Sequence, residues 1–524
     1  MRHLVAISDI HLSEIEPTDG LWMRYRQKPY TPGAQIAEML DDLLARVRGD
    51  DLTLVLNGDV FDFDAPRSAG DRSEPHDLPR TEENCAPVVR AILRDHPELV
   101  RALARVIGEG HTLVFVSGNH DAQMTLPGVR DAVRDILVRE ARALGSARPG
   151  DASGDIPSPD CHSSDSHSSN SQSPDCQSPD TRSSDCQPAD GRTPDGRPAG
   201  DDPAARALSE RILFRAWFHL DRAGVVFEHG HQYDTFCSFR YPMAPFGKTP
   251  GVIQPTMGSM LARLYLGKLG YFNPHVDATF MLTLGGHLRH WARYYLFTRR
   301  SQAWIWASGA LKTLHALLAN RDPGSRERRL ANIAEAARET GASPRSIARH
   351  ARLFAPPGED ALWLVARELW VDRALFAAAG AGFVAAWALS QRHSFGLLAS
   401  LGPVAMFAVE LTQPKGTLED NWRKVQRRAR LVAKAHRARA VVFGHTHMPE
   451  GHWEDGVFYG NTGSWSAAYK DVACKEPLFE ERPLVWLRVD AEDEKPAVLS
   501  GGLCLWKKGV FRFTSPQQTP SRVW

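Results

Sequence analysis

Five short apolar runs in this sequence are each followed by side chains of the kind that bind metal ions. The five segments are Asp9-Ile10-His11, Gly58-Asp59-Val60-Phe61-Asp62, Gly118-Asn119-His120-Asp121, His229-Gly230-His231 and Gly444-His445-Thr446-His447. Carboxylate oxygen, amide oxygen and imidazole nitrogen together suit manganese, iron or zinc better than calcium or a thiolate-bound metal. The residue types therefore predict a divalent-metal centre, provided that the fold brings the five segments together.

The apolar runs themselves are typical of buried strands in a layered α/β fold. They are Leu4–Ile7, Leu52–Leu56, Leu113–Val116, residues 224–228 and Ala440–Phe443. Apolar residues recur at helical spacing over Ala34–Val47, residues 82–107 and Leu418–His436. Sites in layered α/β folds gather where the strands end, so we expect the polar segments to meet at one edge of the sheets. Glycine beside several of the candidate ligands permits a close approach of the backbone.

The order of the five segments resembles the calcineurin-like metallophosphoesterase superfamily, whose signature is D-x-H, G-D-x-x-D, G-N-H-D, a later histidine and G-H-x-H. The resemblance covers about residues 1–145, 205–235 and 420–500. It implies an α/β fold with a two-layered β-sandwich flanked by helices, to which this chain adds a large helical insert. It also implies hydrolysis of a phosphomonoester, phosphodiester or pyrophosphate by a water activated between two divalent cations, manganese being favoured over iron or zinc.

The resemblance assigns a role to each ligand position. One ion would be held by Asp9, His11 and His447, the other by Asn119, His229 and His445, and Asp59 would bridge the two. His229 is preferred to its neighbour His231 because it directly follows the strand, as the family's ligand does.

The resemblance also implies an acid catalyst. His120 would protonate the leaving oxygen, and Asp121 would orient and charge it. Asp62 is expected to lie just beyond the ligands.

The nearest branch of the superfamily is that of the bacterial UDP-2,3-diacylglucosamine hydrolases, which Ser8-Asp9-Ile10-His11-Leu12-Ser13 and the large insert resemble. That branch uses its insert as a lid over acyl chains. This chain departs from it, because His120 stands where the branch carries arginine and because the insert is much longer. Two alternatives therefore stand beside a general phosphoesterase: a lipid-linked UDP-sugar pyrophosphohydrolase, and a non-catalytic metal-binding scaffold.

The ligand positions predict one catalytic domain that is interrupted twice. Its first part spans 1–145, its middle part 205–235 and its last part 418–524. Residues 146–204 form a Ser/Pro/Asp repeat that has too few apolar residues to offset the entropy of ordering, so this insert is expected to be disordered. Residues 236–417 are expected to form a helical cap or a membrane-associated insert.

Composition limits the partners and the compartment. The 63 basic and 62 acidic residues give a net charge of +1, which argues against a nucleic-acid partner. Seven cysteines and an N-terminus without a signal-peptide core predict a cytoplasmic protein. The apolar runs Ala374–Leu389 and Phe395–Leu411, together spanning 374–411, leave two structures open: contact with the inner face of a membrane, or a buried hairpin in a soluble cap.

Overall fold

The computed structural model describes residues 1–69, 72–74, 78–146, 202–271, 273, 289, 292–294, 302–390, 418–490 and 498–514. The strands are β1 (Arg2–Ile7), β2 (Asp51–Asn57), β3 (Arg67–Ala69), β4 (Arg72–Glu74), β5 (Thr112–Val116), β6 (Ile212–Arg215), β7 (Phe218–Asp221), β8 (Val225–Glu228), β9 (Ala440–Phe443), β10 (Glu450–Glu454), β11 (Val457–Asn461), β12 (Arg482–Asp490), β13 (Val498–Lys507) and β14 (Val510–Phe513).

The α-helices of the described residues lie between and beside these strands. They are α1 (Gly33–Arg46), α2 (Glu82–Asp95), α3 (Pro97–Gly108), α4 (Pro127–Ser146), α5 (Pro203–Glu210), α6 (Met257–Leu264), α7 (Gln302–Ala319), α8 (Arg326–Thr340), α9 (Pro344–Ala351), α10 (Leu362–Glu368), α11 (Val371–Ser390) and α12 (Leu418–His436).

The protein has a mixed α/β fold with two mixed sheets, which confirms the α/β class predicted from the sequence. The larger sheet has the strand order β14-β13-β12-β1-β2-β5-β6, and β1, β2, β5 and β6 are parallel within it. The smaller sheet has the order β10-β11-β9-β8-β7, with β8, β9 and β11 parallel. A separate hairpin joins β3 to β4.

The two sheets share an apolar core, and each is covered by helices on its other face. In β1, Leu4 and Ala6 pack into the core between the sheets, whereas Val5 and Ile7 pack under α1 to α4. In β8, Val226 points the other way and packs with residues of α8, α9 and α12. Because successive side chains of a strand point to opposite faces, a strand that is buried on both faces has apolar residues at consecutive positions of the sequence.

One predicted helix is two helices in the structure. The apolar periodicity of residues 82–107 continues from α2 into α3, but His96 leaves the helical conformation and Pro97 begins α3. Proline cannot donate a backbone hydrogen bond and fits the first turn of a helix, so the chain turns there while both helices keep one buried face.

The two interruptions of the domain are only partly within the described residues. The expected disordered repeat lies almost entirely outside them, and so does the second apolar run, Phe395–Leu411. At the edges of the repeat, Arg142 of α4 forms an ion pair of 2.6 Å with Asp202, which caps α5. The first apolar run forms most of α11, and among the described helices none is long and apolar enough to cross a membrane.

Candidate metal centre

The candidate ligands follow directly on the carboxyl ends of β1, β2, β5, β8 and β9, and the two sheets bring most of them together. Among the described residues, one group that can hold a cation consists of Asp9, His11 and His447, and a second consists of Asp59, His229 and His445. In each group the ligand atoms lie within 4.8 Å of one another. Both groups match the ligand sets expected from the sequence, apart from Asn119.

Short distances connect the two groups. The Nε2 atom of His447 lies 3.1 Å from Oδ1 of Asp9, and Nε2 of His229 lies 3.0 Å from Oδ2 of Asp59. His229 is also 4.0 Å from Oδ1 of Asp9, and His11 is 4.0 Å from Oδ2 of Asp59. Asp59 therefore lies next to histidines of both groups, which is the position that a bridging carboxylate requires.

In both Asp9 and Asp59, one carboxylate oxygen accepts hydrogen bonds from the protein and the other faces the histidines. Oδ2 of Asp9 accepts hydrogen bonds from the Ser8 hydroxyl and from the backbone N–H of His445, the latter at 3.1 Å. Oδ1 of Asp59 accepts the backbone N–H of His120 at 2.8 Å. The remaining oxygens, Oδ1 of Asp9 and Oδ2 of Asp59, are thus fixed in direction and face imidazole nitrogens.

His229 is held by the junction of the two sheets. Its Nδ1 lies 3.0 Å from the backbone oxygen of Asn57, so Nδ1 donates and Nε2 is left for a cation. The side chain of Asn57 in turn donates to the backbone oxygens of Glu228 and Val442, at 3.0 and 3.2 Å. A buried amide thereby joins β2, β8 and β9 at the site.

Five of the candidate ligands adopt the left-handed backbone conformation, which is uncommon for residues other than glycine. Their φ angles lie between 50° and 66°, and they are Asp9, His11, Asp59, His445 and His447. A non-glycine residue held there costs on the order of 1 kcal/mol or more, and such residues cluster at functional sites. Five of the eleven such residues in the described part of the chain thus carry candidate ligand atoms.

Two glycines make room for these ligands. A Cβ atom on Gly118 would overlap the carboxylate of Asp59, and one on Gly58 would overlap the ring of His229. Gly58 also has a φ of 90°. The close approach that the sequence predicted for glycines beside the ligands is thus present at these two positions.

The charges of the site compensate one another. Burial raises the pKa of Asp9 and of Asp59, but His447 and His229 outweigh burial at Asp9, and His229 and His120 do so at Asp59, so both pKa values are lowered. Burial lowers the pKa of His229, yet Asp59 and Asp9 raise it to about 9. Without a cation, a proton on His229 offsets part of the carboxylate charge, and a divalent cation can take over that role.

The carboxylates beside His120 do not include Asp121, which the resemblance implied as its partner. Nδ1 of His120 lies 3.6 Å from Oδ1 of Asp62 and 3.5 Å from Oδ2 of Asp64. Asp121 instead accepts the backbone N–H groups of Gly118 and Val60, at 2.6 and 2.8 Å. Burial and the nearby charge of Asp59 raise the pKa of Asp121 to about 7. Asp121 therefore ties the β2 and β5 loops together, and Asp62 and Asp64 are the carboxylates beside His120.

Asn119 and His231 occupy different positions relative to the centre. Asn119 is 4% exposed, and within the described part of the chain its carboxamide oxygen accepts no hydrogen bond. A buried oxygen without a donor fits a cation ligand. His231 is buried, but it belongs to neither ligand group, and its Nε2 contacts the side chain of Gln232 at 3.1 Å. The geometry thus favours His229 as the ligand and leaves His231 as a neighbour.

Three residues of the site were not anticipated from the sequence. Asp64 forms a buried ion pair of 2.6 Å with Arg80, and Asp234 lies 3.3 Å from Nε2 of His445. Asp64 lies in the turn after β2, where its backbone N–H donates to Oδ1 of Asp62 at 3.0 Å, so its position two residues after the predicted Asp62 was the available signal. Nothing in the local sequence indicates the contacts of Arg80 or Asp234.

The residues present fit divalent cations. Two groups of carboxylate and imidazole ligands share a buried edge, and the oxygen of Asn119 has no donor among the described residues. Comparison of the chain with protein-family models, with curated proteins and with solved structures found no match in any of the three.

Proposed function

We propose that the chain is a metal-dependent phosphoester hydrolase of the calcineurin-like type, which cleaves a phosphomonoester, phosphodiester or pyrophosphate. The observation that carries the proposal is the position of Asp59 beside both ligand groups, with His120 adjacent to it. Two bound divalent cations would supply an acidified water molecule and would stabilise the charge on the phosphoryl oxygens. The paired sheets with helices on both outer faces support the same proposal, because they place the ligand loops at one edge.

His120 is the proposed proton donor to the leaving oxygen. Burial lowers the pKa of His120, but the charge of Asp59 and the carboxylates of Asp62 and Asp64 outweigh burial and raise the pKa well above its ordinary value. The imidazole therefore holds a proton that it can transfer when negative charge develops on the leaving oxygen. Asp64 is itself held by Arg80, so the ring has a fixed neighbour.

The decisive experiment compares two aspartate variants in the full chain. Asp59→Asn is expected to lower the manganese content and to reduce hydrolysis of bis(p-nitrophenyl) phosphate or p-nitrophenyl phosphate by at least ~100-fold, because the bridging charge is lost. Asp131→Asn, at an exposed position of α4, is the matched control and is expected to behave like the wild type. Full hydrolysis by protein that elemental analysis shows to be free of metal would refute the proposal. Stoichiometric metal without turnover on any phosphoester would favour the scaffold alternative.

A lipid-linked UDP-sugar pyrophosphohydrolase is the second candidate, and one observation favours it. A cavity beside His11 is lined partly by Ala262, Gly267 and Asn273, which belong to the region inserted after the fourth ligand segment. A substrate bound at the metal centre would therefore lie close to residues of the insert, as it does in that branch of the superfamily. Turnover of UDP-diacylglucosamine, compared with that of short aryl phosphates, distinguishes the two candidates.

A further inference from the structure

We propose that Asp234 is a positioning residue that orients the imidazole of His445 for cation binding, an inference that rests on the proposed metal centre. Oδ2 of Asp234 lies 3.3 Å from Nε2 of His445, and both side chains are about nine-tenths buried, with exposures of 11% and 12%. His445 also shares a ligand group with Asp59 and His229. A carboxylate that accepts one ring N–H fixes the tautomer and rotation of a ligating histidine, and leaves the other nitrogen for the cation.

Asp234 is rigid enough for this role. Its second oxygen, Oδ1, accepts the backbone N–H of Phe236 at 2.9 Å. Its backbone N–H donates to the oxygen of His231 at 3.1 Å, and its own backbone oxygen accepts the N–H groups of Cys237 and Ser238 at 3.0 and 2.8 Å. With the main chain and one carboxylate oxygen held, the remaining oxygen keeps one direction, towards His445.

The loop that carries Asp234 is fastened to the insert by a buried polar network. The Tyr233 hydroxyl donates to Oε2 of Glu228 at 2.7 Å and lies 2.7 Å from Nε2 of His350, which belongs to α9 of the insert. Trp217 donates to the other oxygen of Glu228 at 2.9 Å, and the backbone oxygen of Gln232 accepts the N–H of Ala355 at 2.9 Å. The contact between Asp234 and His445 thus belongs to a built part of the fold and differs from an exposed ion pair.

A neighbouring thiol defines the competing interpretation. The ligand atoms of Asp234, Cys237 and His445 lie within 4.8 Å of one another, so the three residues can be considered as a metal site of their own. The two interpretations differ in their dependence on Cys237, which a substitution can measure.

The test measures manganese affinity by chelator competition in metal-depleted full-length protein. Asp234→Asn keeps an oxygen for the Phe236 N–H but presents an amide donor to His445, and is expected to weaken manganese binding ~10- to 100-fold. Asp234→Glu is expected to recover part of the affinity. Asp322→Asn is the matched control, because Oδ1 of Asp322 caps a similar turn in the insert by accepting the N–H of Gly324 at 2.8 Å. Thermal unfolding of the metal-free variants is expected to change little.

Three results would overturn the inference in distinguishable ways. Equal manganese affinity in Asp234→Asn and the wild type would show that the contact does not orient His445. A comparable loss of manganese or zinc affinity in Cys237→Ser would show that Asp234 and Cys237 are ligands themselves. A wild-type protein that binds no manganese would refute the metal centre on which the inference rests.

Discussion

Replacement of Gly118 by alanine tests whether this position must be glycine for the loops after β2 and β5 to approach each other at the candidate metal centre. The added Cβ would lie 2.5 Å from the backbone nitrogen of Asp59 and closer still to its carboxylate. Asp59 is 1% exposed, so its side chain cannot move aside into solvent. Overpacking of this kind costs about 1–3 kcal/mol of unfolding free energy.

The functional loss is expected to exceed the loss of stability. The Cβ overlaps the residue that lies beside both ligand groups, so relief of the overlap displaces the candidate bridging carboxylate. A displacement of about 1 Å in a catalytic constellation is enough to lower turnover ~100-fold. We therefore expect Gly118→Ala protein to fold, to unfold at a lower urea concentration, and to bind less manganese.

Gly145→Ala is the matched control, because a Cβ on Gly145 of α4 meets nothing within 4 Å. Alanine in a helix is favoured over glycine by up to ~1 kcal/mol, so this variant should be as stable as the wild type or slightly more so. Urea unfolding, elemental analysis and hydrolysis of bis(p-nitrophenyl) phosphate are measured on both variants. A Gly118→Ala protein with wild-type manganese content and turnover would refute the reasoning about close approach.

Three further predictions concern the rest of the chain. His120→Asn should lower kcat by roughly 10²- to 10⁴-fold with unchanged metal content, and loss of metal in this variant would contradict a role in proton transfer. Arg80→Met removes the nearer cation of the buried carboxylate of Asp64, at 2.6 Å, but leaves Arg263 at 3.5 Å, so urea unfolding should show a loss of about 1–3 kcal/mol, whereas a near-neutral effect would contradict a stabilising role of the Arg80–Asp64 pair. Burial and Arg215 lower the pKa of His219 to about 4, so the unfolded chain takes up a proton near pH 6.5 that the folded protein resists. His219 therefore does not reduce the free energy of unfolding above pH 6.5, and it reduces it by about 3 kcal/mol as the pH falls to 4. His219→Gln should abolish this loss, which urea unfolding at a series of pH values measures.

The central strands of both sheets were predictable because they are buried on both faces. The run at Ala440–Phe443 has apolar side chains that pack alternately into the two cores, so the signal is continuous and strong. Strands β6 (Ile212–Arg215) and β7 (Phe218–Asp221) were missed because each has four residues and includes polar side chains. Such strands are defined by their partners more than by their own composition.

The site was predictable to the extent that its residues follow strands. Asp9 and Asp59 come directly after buried runs, and parallel strands carry such residues to a common edge. The partner of His120 was not predictable in this way, because Asp121 is its neighbour in sequence whereas Asp64 reaches it across a loop. Asp234 was missed for the same reason, since its contact with His445 spans 211 positions of the chain.

The ion pair between Arg142 and Asp202 has a consequence for how this gene can change. Because these residues touch, the C-terminal end of α4 and the N-terminal end of α5 are neighbours in the fold, and residues 147–201 connect them in the sequence. Each doubling of the number of residues between two fixed ends of a loop costs only ~0.6 kcal/mol more. Residues can therefore be added to or removed from this connection without moving a ligand. Related chains should vary widely in length at this point while keeping the spacing of the residues on either side.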